Sequence, residues 1–402
     1  MEFVPTDIAH GGEAVARVDG KAYFVAGAIP GERVVGDVVV DKGSWGRVRL
    51  LDVVAPAPER IDPPCPHFSR CGGCQWQFVD HATQLRWKTS VVAGQLAHLG
   101  KVADPPVRDT LAVDTPFGYR NRMDFVVDRD RPALYRPRSR RTVQLDLCLL
   151  LRPELAAVFA RLGDLTGVHR LTLRAGVTTG ELLAVVGGRI PAQAPQWGCA
   201  VAQARRGAVY AIHGSSTIHE VIGDVRFRIT GRAFFQSNTA GAAALVRLAA
   251  DAAGLTPNDT LLDAYAGGGL FGATVGRGAG RVVAIESDQV AFRDLRTNLR
   301  TAGLADHQAI HGTVEAVIAG LDEYWDVAIV DPPREGLREA GVAAVTAARP
   351  RTIVAVSCDP ASLGRDTRLL QGAGYRLEWA APIDLFPQTY HVETVARFAR
   401  DD

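Results

Sequence analysis

LLDAYAGGGLFG (261–272) is the stretch that decides how this chain is read. Leu261, Leu262 and Ala264 flank Asp263 in a short strand-like run, and three adjacent glycines break it before a second apolar run opens. Its last six residues, Gly267 to Gly272, fit G-x-G-x-x-G, a turn that brings backbone N–H groups at a helix start close to a nucleotide. A lone match also fits a plain glycine-rich turn, so the flanks decide. Downstream, RVVAIESD (281–288) is a second apolar strand with Glu286 at its end. It falls about 20 residues after Asp263, where a carboxylate can accept both hydroxyls of an adenosine ribose. A helix over 289–303, the strands WDVAIVDPP (325–333) and TIVAVSCD (352–359), and a final hairpin follow. Strands alternating with helices predict an α/β, doubly wound, Rossmann-like parallel sheet over 231–402.

Two acids move the expected cofactor from a nicotinamide dinucleotide to S-adenosyl-L-methionine. Asp263 would repel a pyrophosphate but suits the amino group of a cationic sulfonium ligand. Asp331, in Asp331-Pro332-Pro333, ends a later strand at the carboxyl edge where open α/β sheets bind ligands. Amine methyltransferases carry a similar Asn/Asp-Pro-Pro run followed by an aromatic residue; here the fourth residue is Arg334.

Upstream the texture changes. Residues 1–54 alternate valine with charged residues between closely spaced glycines, which predicts a small OB-like β-barrel closed by the proline-rich linker APAPERIDPPCP (55–66). Residues 55–230 mix strand-like and helical runs, the pattern of a central α+β domain. CPHFSRCGGC (65–74) places Cys65, Cys71 and Cys74 as C-x5-C-x2-C, and Cys148 follows in DLCLL. Structural zinc sites usually pair two C-x2-C knuckles, whereas three ligands from one loop and a distant fourth suit a 4Fe–4S cluster. Zinc and unliganded thiols stay open on spacing alone.

Composition bounds the rest. The 402 residues are 47% hydrophobic and 22% charged with a net charge of +1, an ordinary globular balance. No apolar run reaches the roughly 18 residues of a membrane span, and no secretory signal is visible, so a cytoplasmic protein is expected. Between residues 119 and 141 eight arginines stand against Asp124, Asp128 and Asp130, a local surplus that can meet phosphate or remain a solvated face.

Taken with these motifs, the full length resembles the RNA 5-methyluridine (uracil-C5) methyltransferase family, in its iron–sulfur form with an N-terminal TRAM domain. GRAFFQSN (231–238) resembles its Phe-Phe-Gln-x-Asn signature, and DAYAGGGLFG (263–272) its cofactor loop, with Ala266 and Leu270 standing where Cys and Asn are frequent. VDPPREGL (330–337), VSCDPASLGRD (356–366) and HVETVARF (391–398) follow in the family's order. The resemblance implies that Gln236, Tyr265, Gly267, Glu286 and Asp331 bind S-adenosyl-L-methionine, and that Cys65, Cys71, Cys74 and Cys148 hold the cluster. It further implies Cys358 as the nucleophile that adds to uracil carbon 6 and Glu393 as the base that removes the carbon-5 proton. The implied partner is RNA, with 23S ribosomal RNA preferred to transfer RNA, acted on by a monomer. The other readings are a cytosine-C5 or amine methyltransferase, an RNA-binding or redox-sensing module, and a nicotinamide enzyme.

Overall fold

The computed structural model describes residues 1–304 and 306–401; positions 305 and 402, both within the expected third segment, lie outside the described residues. The largest element is an eight-stranded sheet. Its order is His307–His311, Arg281–Glu286, Thr260–Ala264, Val327–Val330, Thr352–Ser357, Glu393–Arg400, Tyr375–Asp384 and Leu111–Ala112. The first five strands are parallel, while Glu393–Arg400 runs antiparallel to both neighbours. The switch has a simple cause. The connection from Asp384 to Glu393 is too short for the crossover of a dozen or more residues that a parallel pair needs.

Side chains alternate across each central strand, and both faces are covered. Val327 and Ile329 join a core with helices Thr239–Ala253 and Gln289–Thr301; Ala328 and Val330 join another with helices Arg338–Thr346 and Pro360–Gly372. That is why the parallel strands read as unbroken apolar runs. The hairpin of Thr217–Ile222 and Val225–Thr230 adds Ile218, Phe227 and Ile229 to the first of these cores.

Residues 122–213 build a seven-stranded sheet, with Arg122–Asp128 and Val168–Ala175 near its centre and a separate core around Leu171, Leu173 and Trp197. Strands dominate here, with only short helical turns such as Pro153–Phe159. The N-terminal residues form a six-stranded sheet from Glu2–Phe3 to Trp45–Ala55. Its core does not stop at residue 54, because Trp76, Phe78, Trp87 and Val91 are buried in the same cluster as Phe3, Tyr23 and Val34.

Helix His81–His98 joins two of these cores. Asp80 caps it by accepting the Thr83 N–H at 2.8 Å. Trp87 and Val91 pack toward the N-terminal sheet, while Val92 and Leu96 pack under the eight-stranded sheet. Among the described residues no helix is long and apolar enough to cross a membrane.

Candidate active site

Parallel strands deliver their C-terminal ends to one edge of the sheet, and the next residue of each is where a side chain can meet a ligand. At this edge stand Asp263 and Tyr265, Glu286, Asp331 and Cys358. Glu393 reaches the same edge from the other direction, as the first residue of the antiparallel strand. The register pairs Ser357 with Thr394, so Cys358 and Glu393 stand next to one another beyond that pair.

The glycine loop turns through positive φ at Tyr265, Gly267 and Gly269. Tyr265 is in the left-handed region at φ 61°, its hydroxyl donating to Glu315 Oε1 at 2.7 Å. Gly267 follows at φ 56°, and a Cβ there would point into open space at the loop's outer side. Its N–H donates to Glu286 Oε2 at 2.7 Å, while the Asp288 N–H meets Glu286 Oε1. Glu286 is therefore oriented by two backbone donors beside the loop. A Cβ on Gly268 would stand 4.0 Å from Phe235 Cδ2, so the chain just before Gln236 passes the loop, and the Gln236 carbonyl accepts from Asn121 Nδ2 at 3.2 Å.

Asp263 is fully buried. Its Oδ2 accepts the Gly272 N–H at 2.7 Å, and its Oδ1 has no hydrogen-bond partner among the described residues. Burial, with the Asp331 and Glu286 carboxylates adding, pushes its pKa up to about 7. Gly272 has no alternative, since a Cβ would stand 2.8 Å from Asp263 Oδ2.

The second half of the edge is acidic, with Glu393 buried and Asp331 and Cys358 half-buried. Burial pushes Glu393 up to about 7, opposed by the Arg334 guanidinium. Burial and the Glu393 carboxylate hold Asp331 well above the usual carboxylate range. For Cys358, burial comes first and the two carboxylates second, and together they push the thiol up to about 12. Arg334 is the neighbouring cation that opposes this for both Cys358 and Glu393.

In the sequence Arg334 stands out only as the non-aromatic residue after Asp-Pro-Pro, and no motif assigns a role to His391 or His10. His391 lies two residues before Glu393, so the alternation of an extended chain was the available signal. Burial, then Arg334 and Lys88, pull His391 down to about 4, and the ring is neutral at pH 7. His10, from the N-terminal sheet, places Nε2 3.2 Å from Asp359 Oδ2, directly after Cys358. Burial of Asp359 is outweighed by His10 and the Ser362 N–H, which bring it down to about 2. No local pattern foretells that contact.

The four expected metal ligands lie apart from this edge and share one cavity of about 180 Å³. Cys65, Cys71, Cys74 and Cys148 line it with Phe68 and Met123, and none of the four is in a disulfide. Gly72 is required by a close approach, because a Cβ would stand 2.8 Å from the Tyr135 carbonyl oxygen. Burial pushes Cys74 up to about 12 and raises Cys71 and Cys148 as well. His67 Nδ1 and Arg120 Nε, both from residues lining the cavity, are buried without a hydrogen-bond partner among the described residues. Among those residues no three His, Cys, Asp or Glu side chains converge at the spacing of a single bound ion.

Comparison with known proteins gives four findings. Residues 247–356 match the family described as "Conserved hypothetical protein 95". An uncharacterised RNA methyltransferase of Gloeobacter violaceus is 36% identical over 98% of this chain and 95% of its own length. One of Halalkalibacterium halodurans is 33% identical over 98% and 96%. Among solved structures, the tRNA (uracil-54, C5)-methyltransferase of Pyrococcus abyssi in complex with S-adenosyl-L-homocysteine shares the fold. Its TM-score is 0.79, at 24% identity, covering 99% of this chain and 100% of that one.

Proposed function

The chain belongs to the RNA methyltransferase family, and from that premise we propose that it methylates carbon 5 of a uridine in RNA. The observation that carries this reading is the register placing Cys358 beside Glu393, with Asp331 on the adjoining strand end. A thiol and a base side by side are what carbon 5 of uracil requires, because that carbon is a poor nucleophile until carbon 6 is attacked.

S-adenosyl-L-methionine supplies the methyl group as a sulfonium cation. Gly267 leaves room for it, Glu286 faces its ribose, and the unpartnered Asp263 Oδ1 and the Asp331 carboxylate offer acceptors to a cationic ligand. Gln236 and Tyr265 frame the same loop. Cys358, half-buried at the edge, gives its proton to solvent, with the Arg334 guanidinium stabilising the thiolate, and Sγ bonds to carbon 6. The ring electrons move toward O4, and carbon 5 then takes the methyl group as the methyl–sulfonium bond breaks and S-adenosyl-L-homocysteine leaves. Glu393, with its pKa near 7, accepts the carbon-5 proton; the double bond re-forms and the Sγ–carbon bond breaks.

The cysteine cavity fits a 4Fe–4S cluster. Four thiols surround a void larger than the space inside four bonds of about 2.3 Å to one zinc ion. Two orphaned buried N–H groups are suited to sulfur acceptors. The cluster would be held by Cys65, Cys71, Cys74 and Cys148, stabilising their thiolates and ordering the loop. Anaerobically purified protein should be brown, and Cys148→Ser should bleach it; colourless protein with one zinc per chain would reject the assignment.

The N-terminal sheet is taken as the TRAM-like RNA-gripping module. The substrate assigned is 23S ribosomal RNA, because the TRAM-plus-cluster form of the resembled family is associated with it. Mapping 5-methyluridine in ribosomal and transfer RNA, with and without the protein, decides between them.

The catalytic assignment is tested by two variants that must fail differently. Cys358→Ala should form neither adduct nor product. Glu393→Gln should attack and methylate but retain the carbon-5 proton, leaving RNA attached to Cys358 as a slow band on a denaturing gel. A Cys358→Ala protein that still makes 5-methyluridine would overturn the mechanism at its first step.

A further inference from the structure

The connection between strands Tyr375–Asp384 and Glu393–Arg400 leads straight into Glu393, and it is held almost entirely from outside the sheet. At its centre Gln388 is 4% exposed and sits at φ 70°, a left-handed conformation that a glutamine keeps only when its surroundings impose it. Its carbonyl accepts two N–H groups, from Gln75 at 2.9 Å and Trp76 at 3.0 Å. Its own N–H donates to Gln84 Oε1 at 2.9 Å, and its Oε1 accepts from Gln84 Nε2 at 3.1 Å. Gln84, fully buried on helix His81–His98, also donates to the Trp76 and Val79 carbonyls. Tyr119 donates to the Pro387 carbonyl at 3.0 Å, and Lys88 to that of Phe386 at 3.1 Å.

Gln75 and Trp76 are the two residues that follow Cys74. Gln75 also turns back, its Nε2 donating to the Gly72 carbonyl at 2.7 Å inside the cysteine loop. One unbroken set of hydrogen bonds therefore runs from the cysteine loop through Gln388 to the chain that enters Glu393.

We propose that Gln388, clasped by Gln84 and by the backbone that follows Cys74, is a positioning residue for Glu393, so that an ordered cysteine loop is required for efficient removal of the carbon-5 proton. This rests on the reading of Glu393 as the base. The physical reason is geometric: a base displaced by about an ångström loses much of its advantage in proton transfer, while RNA and cofactor binding elsewhere persist.

The test uses the full chain, its Gln84→Leu and Gln388→Gly variants, and an RNA transcript methylated by the wild type, prepared with hydrogen or deuterium at uridine carbon 5. Leucine keeps the volume of Gln84 without its polar atoms; glycine relieves the left-handed φ at 388 and keeps its carbonyl. In both, kcat should fall roughly 10- to 100-fold with KM for RNA within about twofold. The deuterium isotope effect should rise, and the Cys358–RNA adduct should persist. A merely unstable variant would lose active protein and leave the isotope effect at the wild-type value. An unchanged isotope effect in both variants, whatever the rate, overturns the proposal.

Hydrogen exchange supplies a readout that needs no turnover. Cys74→Ser should raise exchange in residues 385–392 as well as in 71–76, with strand Arg281–Glu286 unaffected. Exchange confined to 71–76 would break the link to the cysteine loop. A wild type that makes no 5-methyluridine overturns the functional reading and this proposal together; a wild type that does, with variants lacking the isotope signature, overturns this one alone.

Discussion

Glu393 shows how a single buried carboxyl ties stability to pH. Its folded pKa near 7 stands above the ordinary 4.5, so between those values the folded chain keeps a proton that the unfolded chain has released. Stability must then decline as pH rises through that window and level off above it. Glu393→Gln has no charge to bury. It should match the wild type near pH 4.5 and exceed it by on the order of 3 kcal/mol at pH 8, as read by denaturant unfolding at both pH values. Equal stabilities at pH 8 would mean the carboxyl is not buried as described. Gly272 makes a second prediction at this scale. An alanine Cβ would press on Asp263 Oδ2 and, at 3.1 Å, on Leu299 Cδ2. Gly272→Ala should cost roughly 1–3 kcal/mol of stability and weaken cofactor binding measured by calorimetry.

Helix His81–His98 carries a charge pair with both side chains fully buried. Lys88 and Asp384 are both fully buried, and His81 Nε2 adds a contact to Asp384 Oδ2 at 2.7 Å. Lys88→Met would leave that carboxylate facing only His81, so it should cost about 3–5 kcal/mol. Replacing both partners by apolar residues should cost much less, since no unpaired charge remains; comparable losses in the two variants would contradict this. How far the sequence anticipates such elements depends on distance along the chain. The parallel strands were readable because burial on both faces writes an apolar run, as in VAIV (327–330), and the glycine loop because its φ values demand glycine. Strand Leu111–Ala112, two exposed residues that pair in parallel with Ile383 and Asp384, leaves no such pattern. Nor do the Gln84–Gln388 clasp and the His10–Asp359 contact, whose partners lie more than 300 residues apart and answer to no local period. The candidate catalytic residues were recognisable as motifs; their shared burial was not.

Across the whole molecule, the N-terminal segment touches both the arginine-rich stretch and the candidate active-site edge. Arg138 pairs with Glu13 at 2.8 Å, and Arg131 pairs with Asp146, so part of the apparent positive surplus is already neutralised. Arg136, Arg140 and Arg141 are exposed beside exposed Tyr135, with no carboxylate within 4.0 Å among the described residues. Replacing these three with alanine should flatten the slope of log affinity against log salt by about 2 for an unstructured RNA, read by filter binding at several salt concentrations. An unchanged slope would remove them from the RNA path. Deleting residues 1–54 should weaken RNA binding too, and the shared core adds a cost: Trp76, Phe78 and Trp87 would be uncovered, so the truncated chain should be less stable and prone to associate. That shared core also bears on ancestry. A sheet whose hydrophobic partners are encoded beyond its own boundary cannot be gained or lost by one clean recombination at residue 55. Any relative that lacks it should carry polar residues at the positions of Trp76, Phe78, Trp87 and Val91, and a relative that keeps those four should keep the sheet.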